Sequence, residues 1–370
     1  MAQDGAPAPE TRGQLALVRA PPPRCGPRAP KALLQRAVFE LDRGEDERAL
    51  ACADEALRLA PRLVAALRLR GEALTELGRL DEARLAFARA LAVEPDDAEA
   101  LRGAAELYVM RLPGERATLE LGLEYALRGV RAARARSGLQ AELLLLVAAA
   151  ENDLGESRAA LGHAEQALAL RADDLDASYE RGVALYELCR FEEARVALER
   201  VRAARPDDAW TLHYLGLVAE RAGHGRRAEE LERRARSLAP DEFRAGTSID
   251  PASFDAEVHR ALAGLPERER RAVAAVPVEL ADVPALDDLT AVDPPLSPSI
   301  LGLFRGPSQG EPCLPEEGPR CRSIVLYRVN LERFARSRAD LAEQVRVTLL
   351  HEIGHLQGES EDELRARGLE

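Results

Sequence analysis

Lysine is nearly missing from this chain: among its 51 basic side chains, Lys31 is the only lysine. That removes Schiff-base and other lysine-nucleophile chemistry. Arginine carries almost all the positive charge, which we read as a compositional bias. Cysteine is sparse and dispersed. Cys25, Cys52, Cys189, Cys313 and Cys321 form no C-x-x-C pair, which excludes a cysteine zinc knuckle and a thioredoxin-type redox site. Cys313 and Cys321 stand eight apart in a Pro/Gly/Glu-rich stretch; without a secretion signal they are expected as free thiols in preference to a disulfide. Long apolar runs are also lacking. Leu15–Val18, inside a Pro/Ala-rich segment over 1–27 that is expected to be disordered, is too short for a signal-peptide core, and Leu143–Ala150 is far short of a membrane span. These lacks imply a soluble, cytoplasmic protein with no membrane partner. The net charge of −13 excludes a general nucleic-acid binder.

What the chain does contain, near its C-terminus, is the run His351-Glu352-Ile353-Gly354-His355-Leu356-Gln357-Gly358-Glu359-Ser360-Glu361. It reads H-E-x-x-H-x-x-G-x-x-E. On a helix a four-residue step ends about 40° from a whole turn, so His351 and His355 point into the same space. Two neutral imidazoles so placed hold one Zn2+, and Glu352, one residue round the helix, reaches a water at the open metal position and takes its proton. Gly358 lets the helix stop and turn back through the left-handed region. The turn delivers Glu361 as a third, oxygen ligand, with Asp362 beside it as the rival for that place. Ser337-Arg338-Ala339-Asp340 has the S-x-x-D form of a helix N-terminus, and Leu341, Val345, Leu349, Ile353 and Leu356 follow as a stripe at helical spacing. One face of this helix is expected in a core while the other presents the histidines.

Hydrophobic residues at 46% and charged residues at 31%, with alanine, leucine and arginine dominant, describe a globular, helix-rich chain, and 370 residues accommodate two domains. A ruler runs through the first two thirds. Pro27, Pro61 and Pro95 are 34 apart, Gly138, Ala172, Pro206 and Pro240 continue the same step, and only the interval from Pro95 to Gly138 carries nine extra residues. Counting 12 back from each terminal position gives Ala49, Ala83, Ala126, Ala160, Ala194 and Ala228; counting 5 back gives Ala56, Ala90, Ala133, Ala167, Val201 and Ala235.

A 34-residue period with small residues where two helices approach closely resembles the tetratricopeptide repeat. The second unit carries the pattern most fully, in Leu67, Gly71, Leu74, Ala83, Phe87, Ala90 and Pro95. The resemblance implies an α-solenoid of six helix pairs over 28–240, with a concave face, lined by the first helix of each pair, that binds a protein or peptide partner. Glu232 stands at the aromatic position of the last unit and suggests a polar cap. Arg128, Arg131, Arg134 and Arg136 read as a solvated helix face and Trp210 as packing.

Beyond a linker over 241–251 the texture changes. Helical spacing over Phe254–Leu265 and Glu267–Ala275 is followed by strand-like Val276–Leu280, a Pro/Asp-rich loop over Asp287–Pro298, and strand-like Ile300–Phe304 and Ser323–Tyr327. This small α/β (α+β) unit over 252–370, ending in an H-E-x-x-H helix, resembles the minimal zincin-like metallopeptidases. The resemblance rests on Leu301–Gly306, Ile324–Arg328, Val347–His355 and the ending Glu363-Leu364 with Gly368-Leu369. It implies zinc held by His351 and His355, Glu352 as general base, and a peptide substrate; the third acidic position, Asp in most of that family, is Glu361 here. Ile324–Tyr327 is expected as an edge strand that pairs with an extended substrate. A metzincin wants a third histidine and a Met-turn, whereas position 361 is Glu and the only methionines are Met1 and Met110. A thermolysin-like site wants a Glu on a later helix, and only 15 residues follow His355. The expected function is a zinc-dependent peptidase with a helical array for docking a partner or substrate. The alternative is a non-catalytic interaction scaffold with a structural or degenerate zinc site.

Overall fold

Alanine at two fixed places per unit dictates how the helices of the array pack. In a computed structural model of the chain, which describes Cys25, 29–313 and 321–369, the chain divides into two compact units, Met1–Ala133 and Arg134–Glu370. The segment expected to be disordered over 1–27 lies, Cys25 apart, outside the described residues.

The first unit holds three helix pairs: α1 (Pro30–Leu41) with α2 (Asp46–Leu59), α3 (Val64–Glu76) with α4 (Leu80–Val93), and α5 (Ala98–Glu106), which runs on into a π-helical turn at Leu107–Arg111, with α6 (Arg116–Ala132). Ala49, Ala83 and Ala126, and seven residues later Ala56, Ala90 and Ala133, are all 0% exposed, because any longer side chain there holds the paired backbones apart. Phe87 fills the space this leaves. A Cβ added at Gly71 or Gly103 meets its ring at 2.7 and 2.5 Å, so both glycines are needed for the aromatic plug to seat. The nine extra residues of the third interval go into the π-helical turn, the connection after it, and α6, which has 17 residues against 14 in α4. Cys25 and Cys52 are joined by a disulfide.

The second unit begins with α7 (Ser137–Asp153), α8 (Ser157–Leu170), α9 (Leu175–Glu187), α10 (Phe191–Ala204), α11 (Ala209–Arg221) and α12 (Gly225–Leu238). Asp174 and Asp208 cap α9 and α11 by accepting backbone N–H groups of the first turn. The turn inside each pair has one residue in the left-handed region: Gly155 (φ 80°), Cys189 (φ 58°) and Gly223 (φ 75°), again 34 apart. Trp210 is 47% exposed and sets its ring edge-on to Phe243 at 4.6 Å. Glu232 faces Gly216 and lies 2.9 Å from His213 Nδ1, in the place Phe87 fills in the second repeat.

After a connection without helix or strand come α13 (Pro251–Ala263), α14 (Glu267–Val273), β1 (Val278–Ala281), α15 (Leu286–Leu289), β2 (Gly302–Arg305), β3 (Ser323–Tyr327), α16 (Arg328–Phe334), α17 (Arg338–Gln357) and α18 (Glu361–Ala366). The strands form one sheet in the order β1-β3-β2, with β1 parallel and β2 antiparallel to β3. The expectation that Ile324–Tyr327 is an edge strand is therefore corrected: β3 is the central strand, and β2 and β1 are the edges. All five residues of β3 are buried, and an apolar run without alternation is what a strand covered on both faces requires. The loop expected over Asp287–Pro298 contains the short helix α15, whose Leu289 is fully buried. Cys313 and Cys321, expected as free thiols, are disulfide-bonded, their Cα atoms 5.9 Å apart and so within the reach of the bridge. Leu341, Val345, Leu349, Ile353 and Leu356 of α17 are all fully buried, most of them in one core with Phe254, Val258, Ile324, Leu326 and Leu364. No helix among the described residues is long and apolar enough to cross a membrane.

Gly71→Val places a branched side chain against the Phe87 ring and is expected to lower the unfolding free energy by about 2 kcal/mol. Urea unfolding of Gly71→Val, Phe87→Leu and the double variant checks it: the double is expected to lose less than the sum of the singles.

Candidate metal centre

The helix that carries the two histidines is built from both ends. Ser337 Oγ accepts the Asp340 N–H at 3.1 Å and fixes where α17 starts. Gly358, at φ 86°, lets the chain leave the helix through the left-handed region that other residues avoid. Past that turn, Ser360 and Glu363 form a capping box that starts α18. Leu364 then packs down on Gly354, where an added Cβ would come within 2.3 Å of it. α18 is thereby held against the last turns of α17.

This return brings Glu361 to the histidines. His351 Nε2 and His355 Nε2 are 3.0 Å apart, and the Glu361 carboxylate lies 3.7 Å from the first and 3.1 Å from the second. Asp362 points outward, 91% exposed, and pairs with Arg365 at 2.8 Å. The other nitrogen of each ring is tied to the backbone: His351 Nδ1 to the Leu369 carbonyl at 2.6 Å and His355 Nδ1 to the Glu359 carbonyl at 3.2 Å. A carbonyl only accepts, so each Nδ1 carries the proton and each Nε2 presents a lone pair. Two lone pairs and a carboxylate thus converge with nothing between them to donate. Ligand atoms about 2.0–2.1 Å from a tetrahedral zinc ion stand about 3.3 Å from one another, which the observed 3.0, 3.1 and 3.7 Å separations bracket. The donor set fits zinc. Glu359 and Leu369 were not identified from the sequence, since they act through main-chain oxygens; the only sequence signals were Gly358 and Gly368, both left-handed.

Glu352 lies on the inner side of this cluster, 6% exposed. Edge strand β2 covers it: an added Cβ at Gly302 would stand 3.0 Å from Glu352 Oε1 and 2.6 Å from Thr348 Cγ2, and the Phe304 backbone N–H faces the carboxyl. Burial pushes the Glu352 carboxyl up to about 7, against the pull of His351 and the Phe304 N–H. A carboxyl poised near neutrality suits a group that must take a proton and give it back.

Comparison with known proteins places both halves of the chain. A family model described as zincin-like metallopeptidase matches residues 273–369. Two models described as tetratricopeptide repeat match residues 152–219 and 64–107. No curated protein matches the chain. Among solved structures, the chain is similar to PilW, a type IV pilus biogenesis factor, at 18% identity and a TM-score of 0.50, over 58% of this chain and 96% of that one. PilF of Pseudomonas aeruginosa matches at 17% identity and a TM-score of 0.49, over 62% of this chain and 97% of its own. YrrB, described as a TPR protein with an unusual peptide-binding site, matches at 18% and 0.40, over 51% of this chain and 93% of its own. The likeness to PilW is one of fold.

A carboxyl raised on folding favours the folded state fully below its unfolded value near 4.5, and that contribution is lost as pH rises through about 7. In chelator-treated protein, Glu352→Gln is expected to remove a pH-dependent loss on the order of 3 kcal/mol between pH 5 and pH 8. Urea unfolding of both proteins at the two pH values measures it; parallel pH profiles would contradict the assignment.

Proposed function

We propose that this chain, which carries tetratricopeptide repeats followed by a zincin-like metallopeptidase domain, is a zinc-dependent peptidase whose repeats dock a protein partner or substrate. In this reading the repeats extend over 28–240, a connection over 241–251, and the peptidase domain over 252–370. The observation that carries it is the convergence of His351, His355 and Glu361, with ligand atoms within 4.8 Å of one another, beside a buried carboxyl that none of the three uses.

His351, His355 and Glu361 would hold the ion. When bound, zinc supplies Lewis acidity that makes water acidic near neutral pH and polarises a carbonyl. The Leu369 and Glu359 carbonyls keep both rings in the tautomer and orientation that present Nε2. Glu352 accepts the proton of the attacking water and passes it to the leaving amine. Glu352 has a positive charge nearby when the metal is present, which draws its carboxyl back toward the ionised form.

Substrate binding is best supported along β2. Tyr327 N–H donates to the Leu301 carbonyl, and the pairing of Leu303 with Val325 continues that register. Antiparallel pairing alternates, so Gly302 and Phe304 turn their backbone groups away from β3, toward the helix side that carries Glu352. An extended peptide adding to this edge would pass the carboxyl. The tight cover of Glu352 by Gly302 is what favours the second reading, in which the site is structural or degenerate and the chain acts as a scaffold.

Elemental analysis and peptide hydrolysis on the full-length protein separate the two. One zinc per chain is expected, with affinity reduced about 100-fold or more in Glu361→Ala and unchanged in Asp362→Ala. Glu352→Gln is expected to lower turnover by about 10²–10⁴-fold at equal zinc content. Stoichiometric zinc without hydrolysis of any peptide in a library would leave only the scaffold.

A further inference from the structure

We propose that repeats four to six hold the 284–298 segment of the peptidase domain as an internal ligand, a clamp that sets β2 in place over Glu352. The clamp itself stands on contacts within the second compact unit; its effect on hydrolysis rests on the peptidase reading above.

Residues at the turn ends of three successive helix pairs grip this one segment and its neighbour α16. Arg158, at the start of α8, pairs with Asp293. Glu187, the last residue of α9, takes the Ser297 hydroxyl. Arg221, the last residue of α11, donates to the Pro284 carbonyl at 2.7 Å. Next to it Glu220 pairs with Arg333 of α16 at 2.8 Å.

The second observation is the residue at position 189. The two equivalent turns have glycine at the left-handed position, Gly155 and Gly223, where no other residue is free of strain. Cys189 occupies it at φ 58°. Its side chain, which the turn does not need, reaches the Leu296 carbonyl with Sγ at 3.7 Å. Burial keeps the thiol protonated and so able to donate. A strained backbone position is retained where the side chain meets the clamped segment.

The other side of the segment is continuous with the active-site strand. Asp288 grips Arg305 of β2 through both oxygens, at 2.9 and 2.6 Å. Leu296 N–H returns to the Leu289 carbonyl at 2.9 Å. The Asn330 amide donates to the Pro298 and Ile300 carbonyls at 3.0 and 2.7 Å, immediately before β2 begins. From the array to Glu352 the connection therefore runs through the segment, then β2, then Gly302 and Phe304 against the carboxyl. A partner that takes the turn ends of α9 and α11 competes with the segment and releases this strand.

Backbone hydrogen exchange on the full-length protein tests the clamp with four variants: Cys189→Gly, Glu220→Arg, Arg333→Glu and the double Glu220→Arg/Arg333→Glu. Each single charge reversal is expected to speed exchange of 284–298 and of β2 about fivefold to tenfold, and the double to return it to within about twofold of the parent. Cys189→Gly relaxes the turn, so α9 and α10 keep or gain protection while 284–298 exchanges about twofold to fivefold faster. Unchanged exchange of 284–298 in both Glu220→Arg and Cys189→Gly overturns the proposal, as does a double variant that exchanges as fast as its singles. The measurement uses neither metal nor substrate, so a chain that hydrolyses nothing, which would sink the peptidase reading, still decides this one.

Discussion

The site depends on a hydrogen-bond constraint, the commitment of each imidazole's Nδ1 to a main-chain carbonyl. His351 and His355 are side by side because α17 is a helix, but a shared face alone leaves each ring free to rotate and to choose its tautomer. The Leu369 and Glu359 carbonyls remove both freedoms. The capping box at Ser360, the packing of Leu364 on Gly354 and the left-handed turns at Gly358 and Gly368 all serve to bring those two oxygens back to the helix. The Glu361 carboxylate arrives by the same return. The convergence of the two imidazoles and the carboxylate and the fold of the last dozen residues are thus one arrangement.

The array rests on a different constraint, the volume of one methyl group. Where the helix pairs of the first unit cross, the fully buried alanines allow close approach, and a single aromatic ring, Phe87, seats between Gly71 and Gly103. The same economy of volume recurs at β2, where Gly302 lets the strand lie directly on Thr348 and Glu352. In both places a missing Cβ sets a distance that a larger side chain would lengthen.

Much of this was legible in the sequence because it is written in side-chain periodicity. The 34-residue ruler located the helix pairs, and the cap at Ser337 with the stripe from Leu341 to Leu356 located the ligand helix. What escaped was written elsewhere. Ser323–Tyr327 is apolar at nearly every position, the mark of a central strand, yet a functional expectation placed it at an edge. A spacing of eight between Cys313 and Cys321 says nothing about how near their Cα atoms come. Cys189 was detectable: it interrupts a glycine ladder at 155 and 223. Which of Glu361 and Asp362 comes near the histidines depends on the way the first turn of α18 faces, and that is set by Leu364 docking, a tertiary contact.

The orienting oxygens at 359 and 369 belong to the peptide backbone, so no amino-acid exchange deletes them. An alanine scan would pass over Leu369 as one more apolar contact and Glu359 as a charge partner of Arg367. Inserting or removing one residue between Glu359 and Leu369 would shift the Leu369 carbonyl out of phase with the His351 ring. Positions 359 and 369 themselves therefore tolerate substitution far better than the stretch between them tolerates a change of length, the reverse of an ordinary surface loop.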